Sequence, residues 1–210
     1  MTEINQHQDI KDEIREAVQS GSDVHQKIKA ITLKALTAKQ LDMDNIKNVA
    51  EEVSKGINEG MSSQSEQAKV IFGHAASALD DALATAAEAS KLAIEEASSR
   101  MSEYSKHDLD RASKDLQDME SMFLDTLEKV TQGNHVVADI VRDFIGHARQ
   151  SGTAVGRQAL TALDALKELP HWGKETVVSN TVAATITLAQ IGSGILSGIA
   201  ESLQSSHSKK

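Results

Sequence analysis

The chain has no cysteine among its 210 residues, which excludes disulfides, thiolate nucleophiles and cysteine-based zinc sites. It has one proline, Pro170, so few sharp turns are expected. Aromatic residues are scarce, at 2% of the chain, with one Trp, one Tyr and three Phe. These are the large space-fillers of globular cores. A core assembled instead from Ala, Leu, Ile and Val suits thin helix–helix seams. Positive charge is also short: 22 basic residues face 31 acidic ones, a net charge of −9. That leaves little to hold a phosphate backbone or to dock on anionic lipid. No secretory leader is expected, because Met1 to Ile14 is polar and charged.

What the sequence does contain is helical spacing. Ile10, Ile14 and Val18 recur every four residues and stop at Ser20-Gly21. Val24, Ile28, Ile31 and Leu36 mark a second stretch, with Ser22 or Asp23 expected as its N-cap. A third is expected to begin at Asp42 or Asp44, to bury Ile46, Val49, Val53 and Ile57, and to end near Gly60. Ser63-Gln64-Ser65-Glu66 has capping-box spacing and predicts a long helix from about Ser65 to Ser105. Its centre is rich in alanine, the best helix former. From Asp108, residues Leu109, Leu116, Phe123 and Val130 stand seven apart, with Ala112, Met119 and Thr126 between them. That spacing predicts coiled-coil-like packing and makes Leu109, Leu116, Met119, Phe123 and Val130 candidates for self-association. After Gly133-Asn134 a further helix is predicted from about His135 to Leu169, weakened or bent by Gly146, Gly152 and Gly156. Pro170-His171-Trp172-Gly173 ends it. A last helix is predicted from about Glu175 to Leu203, followed by a frayed polar tail.

These elements predict an all-α, elongated multi-helix bundle in four parts. Short amphipathic helices occupy residues 1–62, a long-helix core region 63–169, the uncharged helix after the Pro/Gly break 170–203, and the polar tail 204–210. No strand alternation and no constant repeat is visible.

The last of the helices carries the most information. From Thr176 to Ala200 there is no charged residue. As a helix this run would measure roughly 37 Å, enough to cross a bilayer core of about 30 Å. On a helical wheel the large aliphatics share one broad face, while Ser179, Asn180, Thr187, Gln190, Gly194, Ser197 and Gly198 gather opposite. Three placements are consistent with this pattern. Burial in a bundle fits best. An interfacial helix lacks the usual Lys and Arg on its polar face, and a membrane span lacks aromatic belts. If the helix meets a surface, Val178, Val182, Ile186, Leu188, Ile195, Leu196 and Ile199 are the residues that would touch it. The glycine pairs Gly56/Gly60 and Gly152/Gly156 read as tight helix contacts or helix ends, with a self-association groove as the alternative.

Catalytic and metal-binding patterns are not found. His135, Asp139, Asp143 and His147 recur every four residues, but they drift around the helix and cannot share one ion. Glu168-Leu169-Pro170-His171 has the spacing of a di-iron ligand pair, yet the proline breaks the helix that pair requires. No serine sits in a nucleophile elbow and no glycine loop has a phosphate-binding ending. No catalytic residue, metal or cofactor is assigned.

The alanine-rich run Ala75 to Ala97, the heptads Leu109 to Val130 and the stretch Ala154-Val155-Gly156-Arg157-Gln158-Ala159-Leu160 resemble the phasins, helical proteins that coat polyhydroxyalkanoate storage granules in bacteria. Ala87-Glu88-Ala89-Ser90-Lys91-Leu92-Ala93 and Ser151-Gly152-Thr153-Ala154-Val155-Gly156 also resemble a bacterial helical family of unknown function. The first resemblance implies granule binding and oligomerisation. The expectation is therefore a non-enzymatic protein of the cytoplasm, on a granule or a membrane, partnered by a hydrophobic polymer or lipid surface and by copies of itself. Nucleic acid is not expected as a partner. The alternative is a self-associating structural bundle.

Overall fold

Alanine at successive buried positions lets neighbouring helices approach one axis from several sides, and the fold follows from this. The structure, a computed structural model, describes residues 2–61, 67–98, 106–130, 135–168 and 187–207. Within these there are eight helices: α1 (Thr2–Ser20), α2 (Val24–Thr37), α3 (Met43–Met61), α4 (Ala68–Ser98), α5 (Lys106–Val130), α6 (His135–Ser151), α7 (Ala154–Lys167) and α8 (Leu188–His207). No strand occurs among the described residues. The all-α class expected from the spacing is the class observed.

Helix α4 is the axis of the bundle, touching α2, α3, α5, α6, α7 and α8. Ala75, Ala76, Ala78, Ala82, Ala86, Ala87 and Ala89 are all fully buried along it, with Leu79 and Leu83 as the larger knobs. A narrow amphipathic stripe would bury one side only. Here the small side chains allow close approach over a wide arc, and one hydrophobic cluster runs from Ile14 on α1 to Ala200 on α8.

Helices α1 and α3 pack through Gly56 and Gly60. A Cβ at Gly56 would lie 2.6 Å from the Lys11 carbonyl oxygen and 2.7 Å from the Ile14 Cβ. At Gly60 it would lie 2.6 Å from the Val18 Cβ. The tight-contact reading of this pair is the one observed. Asp42 caps α3, its Oδ1 accepting from the Asn45 N–H at 2.9 Å. Buried Asn45 closes the α2–α3 turn by donating to the carbonyls of Gln40 (3.0 Å) and Leu36 (3.3 Å).

Other boundaries differ from those expected. Asp23 stands at the start of α2, but in left-handed conformation (φ 53°), and its side chain makes no capping bond. Aspartate tolerates this region better than most residues, and the Asp23 carbonyl still accepts from the Lys27 N–H. The predicted helix His135 to Leu169 is two helices. Gly152 takes φ +77° and ends α6, its N–H bonded to the Ala148 carbonyl at 2.8 Å. Thr153 then caps α7, its Oγ1 accepting from the Gly156 N–H at 2.9 Å. The capping box Ser63 to Glu66, the Gly133-Asn134 break and the Pro170 hinge lie outside the described residues. The last helix continues past Leu203 to His207 rather than ending in a frayed tail at Ser205.

Candidate functional site

The uncharged C-terminal helix was expected to supply the surface contact. The structure seats it on α2 and α4, with a lesser contact to α5. Its start is a reciprocal cap. The Gln190 side-chain Oε1 accepts from the Thr187 N–H at 2.9 Å, and Thr187 Oγ1 accepts from the Gln190 N–H at 3.3 Å. This is the Thr-x-x-Gln form of a capping box. One turn on, Gly192 brings α8 close to α4. A Cβ there would stand 3.1 Å from Leu41 Cδ2 and 3.9 Å from the Ala93 Cβ. Ser193 supplies a polar tie: its Oγ accepts from the Leu41 N–H at 2.7 Å and returns its proton to the Ala189 carbonyl, also at 2.7 Å.

Of the residues expected to touch a surface, Leu188 and Leu196 are buried in the bundle, and Ile195 and Ile199 pack partly against the same core. Their aliphatic face is therefore covered by protein in this state. Val178, Val182 and Ile186 lie outside the described residues. The self-association candidates also face inward. Leu109, Leu116, Met119 and Phe123 are buried within one chain, so α5 uses its heptad face against its own neighbours. Val130 closes α5, and its side chain is outside the described ones.

Beside the α8 seat a cavity of about 90 Å³ opens between the α2–α3 turn, α4, α5 and the start of α8. Ile46, Ile94, Leu116 and Leu188 form its apolar side, and Asp42, Arg111 and Asp115 its polar side. Arg111 lies 3.8 Å from Asp42 and 3.9 Å from Asp115. Burial pushes the Asp115 carboxyl above its ordinary value. Arg111 and the Met43 N–H act against the rise, while Asp42 and Asp44 add to it.

A second polar cluster holds the start of α7. Asp80, in the middle of α4, accepts from the Ala154 and Val155 N–H groups, both at 2.8 Å. Glu120 on α5 accepts from Thr153 Oγ1 at 2.6 Å and from the Thr153 N–H at 3.2 Å. The first N–H groups of a helix have no partner within it, and two carboxylates from other helices complete them here. Burial raises the Asp80 pKa above its ordinary value. The two backbone N–H bonds oppose this, Asp81 adds to it, and Arg157 lowers it. His25 on α2 lies 3.0 Å from Asp81, on the outer side of the same region. Both carboxylates are committed to fixing where α7 begins.

Asp139 pairs with Arg142 at 2.8 Å and Asp143 with Lys69 at 3.2 Å, all well exposed. No three His, Asp or Glu side chains converge as metal ligands among the described residues. No described helix is long and apolar enough to cross a membrane.

A family model for a family of unknown function, DUF6781, matches residues 1–205. The chain belongs to that family. No curated protein and no solved structure matches this DUF6781 chain. The match covers α1 to α7 and α8 as far as residue 205, so the α7 clasp and the α8 seat both lie within the family's extent.

Sequence reasoning missed Asp80, Glu120, Thr187, Gln190 and Ser193. Two of the local signals were readable. Ser151-Gly152-Thr153 places a helix-ending glycine directly before an N-capping threonine. Thr187-Leu188-Ala189-Gln190 has capping-box spacing. The tertiary clasp by Asp80 and Glu120 leaves no local signal, because its partners are 74 and 33 residues away.

Proposed function

We propose that this is a non-enzymatic, phasin-like protein that binds a hydrophobic surface such as a storage granule, with α8 as the helix that turns from the bundle to the surface. The observation carrying this reading is the seat of α8. A helix without charge from Leu188 to Ala200 packs on α4 and α2, brings Gly192 against Ala89 and Ala93 of α4, and buries Leu188 and Leu196 in the core. Burying a large aliphatic side chain contributes about 1.5–3 kcal/mol. On leaving α4 for a polymer or acyl surface, the helix exchanges one apolar neighbour for another. The gain made by α8 itself is kept, the apolar seat it vacates on α4 and α2 has to be covered by the same surface, and an abundant surface can shift the balance. The acidic faces of the other helices would stay in water and keep coated particles apart.

The test is flotation with polymer granules and with liposomes, comparing the full chain with one ending at Leu169. Strong flotation of the full chain and weak flotation of the shortened one is expected. Equal flotation would remove α8 from the mechanism.

A second reading, a self-associating helical bundle, is favoured by the outward side of α8. Gly194 and Gly198 are exposed there, and a Cβ at either would meet nothing within 4 Å. Replacing both with Leu leaves the monomer's packing untouched but blocks close approach by a second helix. Sedimentation should then show a concentration-dependent oligomer for the unmodified chain and a monomer for the variant. A monomer at every concentration for both would end this reading.

A further inference from the structure

We infer that one water molecule is a bound part of this fold, held between α3, α4, α5 and α6 by Ser54 and Asn58. The buried hydroxyls elsewhere in the helices point back to the carbonyl four residues earlier: Thr32 to Ile28 at 2.7 Å, and Thr126 to Met122 at 2.7 Å. Ser90 does the same to Ala86 at 3.1 Å. Ser54 does not. Its side chain is 2% exposed, and its Oγ has no protein partner. One turn along the same face of α3, the Oδ1 of Asn58 is likewise buried without a protein partner.

Both residues line a cavity of about 10 Å³. That is about the smallest space that holds one water, roughly 10–15 Å³. The remaining walls are apolar: Phe72 from α4, Leu127 from α5, and Val137 and Val141 from α6. Nothing larger than water fits, and an apolar filler would leave both oxygens unpaired. A water satisfies both at once, donating one proton to Asn58 Oδ1 and accepting the Ser54 hydroxyl proton. Buried polar atoms are nearly always paired in this way, with protein or with ordered water. The site places a polar bridge beneath α6 at a seam that is otherwise built from hydrocarbon.

The test is oxygen-17 relaxation dispersion on the full chain and on Ser54→Ala, which reads the number of long-lived internal waters. Alanine favours the helix and adds no bulk, so the variant is expected to fold, with circular dichroism as the control. The expected result is a dispersion amplitude lower by one water in the variant. A high-resolution crystal structure of the unmodified chain provides an independent reading. It should show density within hydrogen-bonding distance of both Ser54 Oγ and Asn58 Oδ1. Equal amplitudes in the two proteins, or a crystal structure with Ser54 turned to the Ala50 carbonyl and a dry cavity, would overturn the inference.

Discussion

Asp80 lies in the middle of one helix and makes its strongest bonds to the start of another. Removing it as Asp80→Ala leaves the Ala154 and Val155 N–H groups without their acceptor. The expected loss is about 1–3 kcal/mol in urea unfolding. Asp80→Asn keeps one acceptor and should cost less. The pH dependence follows from burial, which raises Asp80 and Asp115 above the ordinary carboxylate value of 3.8. A carboxyl raised in the folded state binds its proton more readily there than in the unfolded chain. Its contribution to stability is therefore complete below 3.8 and is lost as pH rises through the folded-state value. Compared with Asp115→Asn, the unmodified protein should gain relative stability as pH falls from neutral towards that value. A gap between the two urea midpoints that is flat with pH, or moves the other way, would contradict the assignment. These residues were not legible in the sequence. An aspartate on a helix reads as a solvated face, and only tertiary packing turns it into a cap.

At the scale of elements, the sequence pattern was most legible where periodicity alone decides the outcome. Ile46, Val49, Val53 and Ile57 are buried on one face of α3 as their spacing requires. Leu109, Leu116 and Phe123 are buried on α5, but against the chain's own helices. Periodicity identifies an apolar face and says nothing about whether its partner belongs to the same chain. Boundaries were less legible where one residue outweighs a long pattern. The apolar face continues across residues 135–168, yet Gly152 in left-handed conformation and Thr153 as cap divide it. Two glycine substitutions should behave in opposite ways. Gly56→Ala places a Cβ against the Lys11 carbonyl and Ile14, and overpacking of this kind typically costs about 1–3 kcal/mol. Gly146→Ala, where a Cβ meets nothing, should stabilise α6 by up to about 1 kcal/mol. Thermal melts of the two variants should shift in opposite directions.

For the whole molecule, the question is whether α8 remains on α4 when the protein works. The absence of charge from Leu188 to Ala200 on α8 is legible in the sequence, and burial in a bundle is the placement that fits it best. The seat itself depends on Gly192, Ala93 and Ser193 meeting residues far away in the chain, which no local pattern encodes. The geometry also offers a reversible lock. A Cβ at position 192 would lie 3.9 Å from that of Ala93, within the range of about 3.5–4.5 Å that a disulfide spans. The chain has no other cysteine to interfere. The most direct measurement is flotation of the Ala93→Cys/Gly192→Cys protein on hydrophobic polymer granules, oxidised and then reduced. Surface binding by a departing α8 predicts that the oxidised protein stays in solution and the reduced protein floats. Equal flotation of the two forms would contradict it.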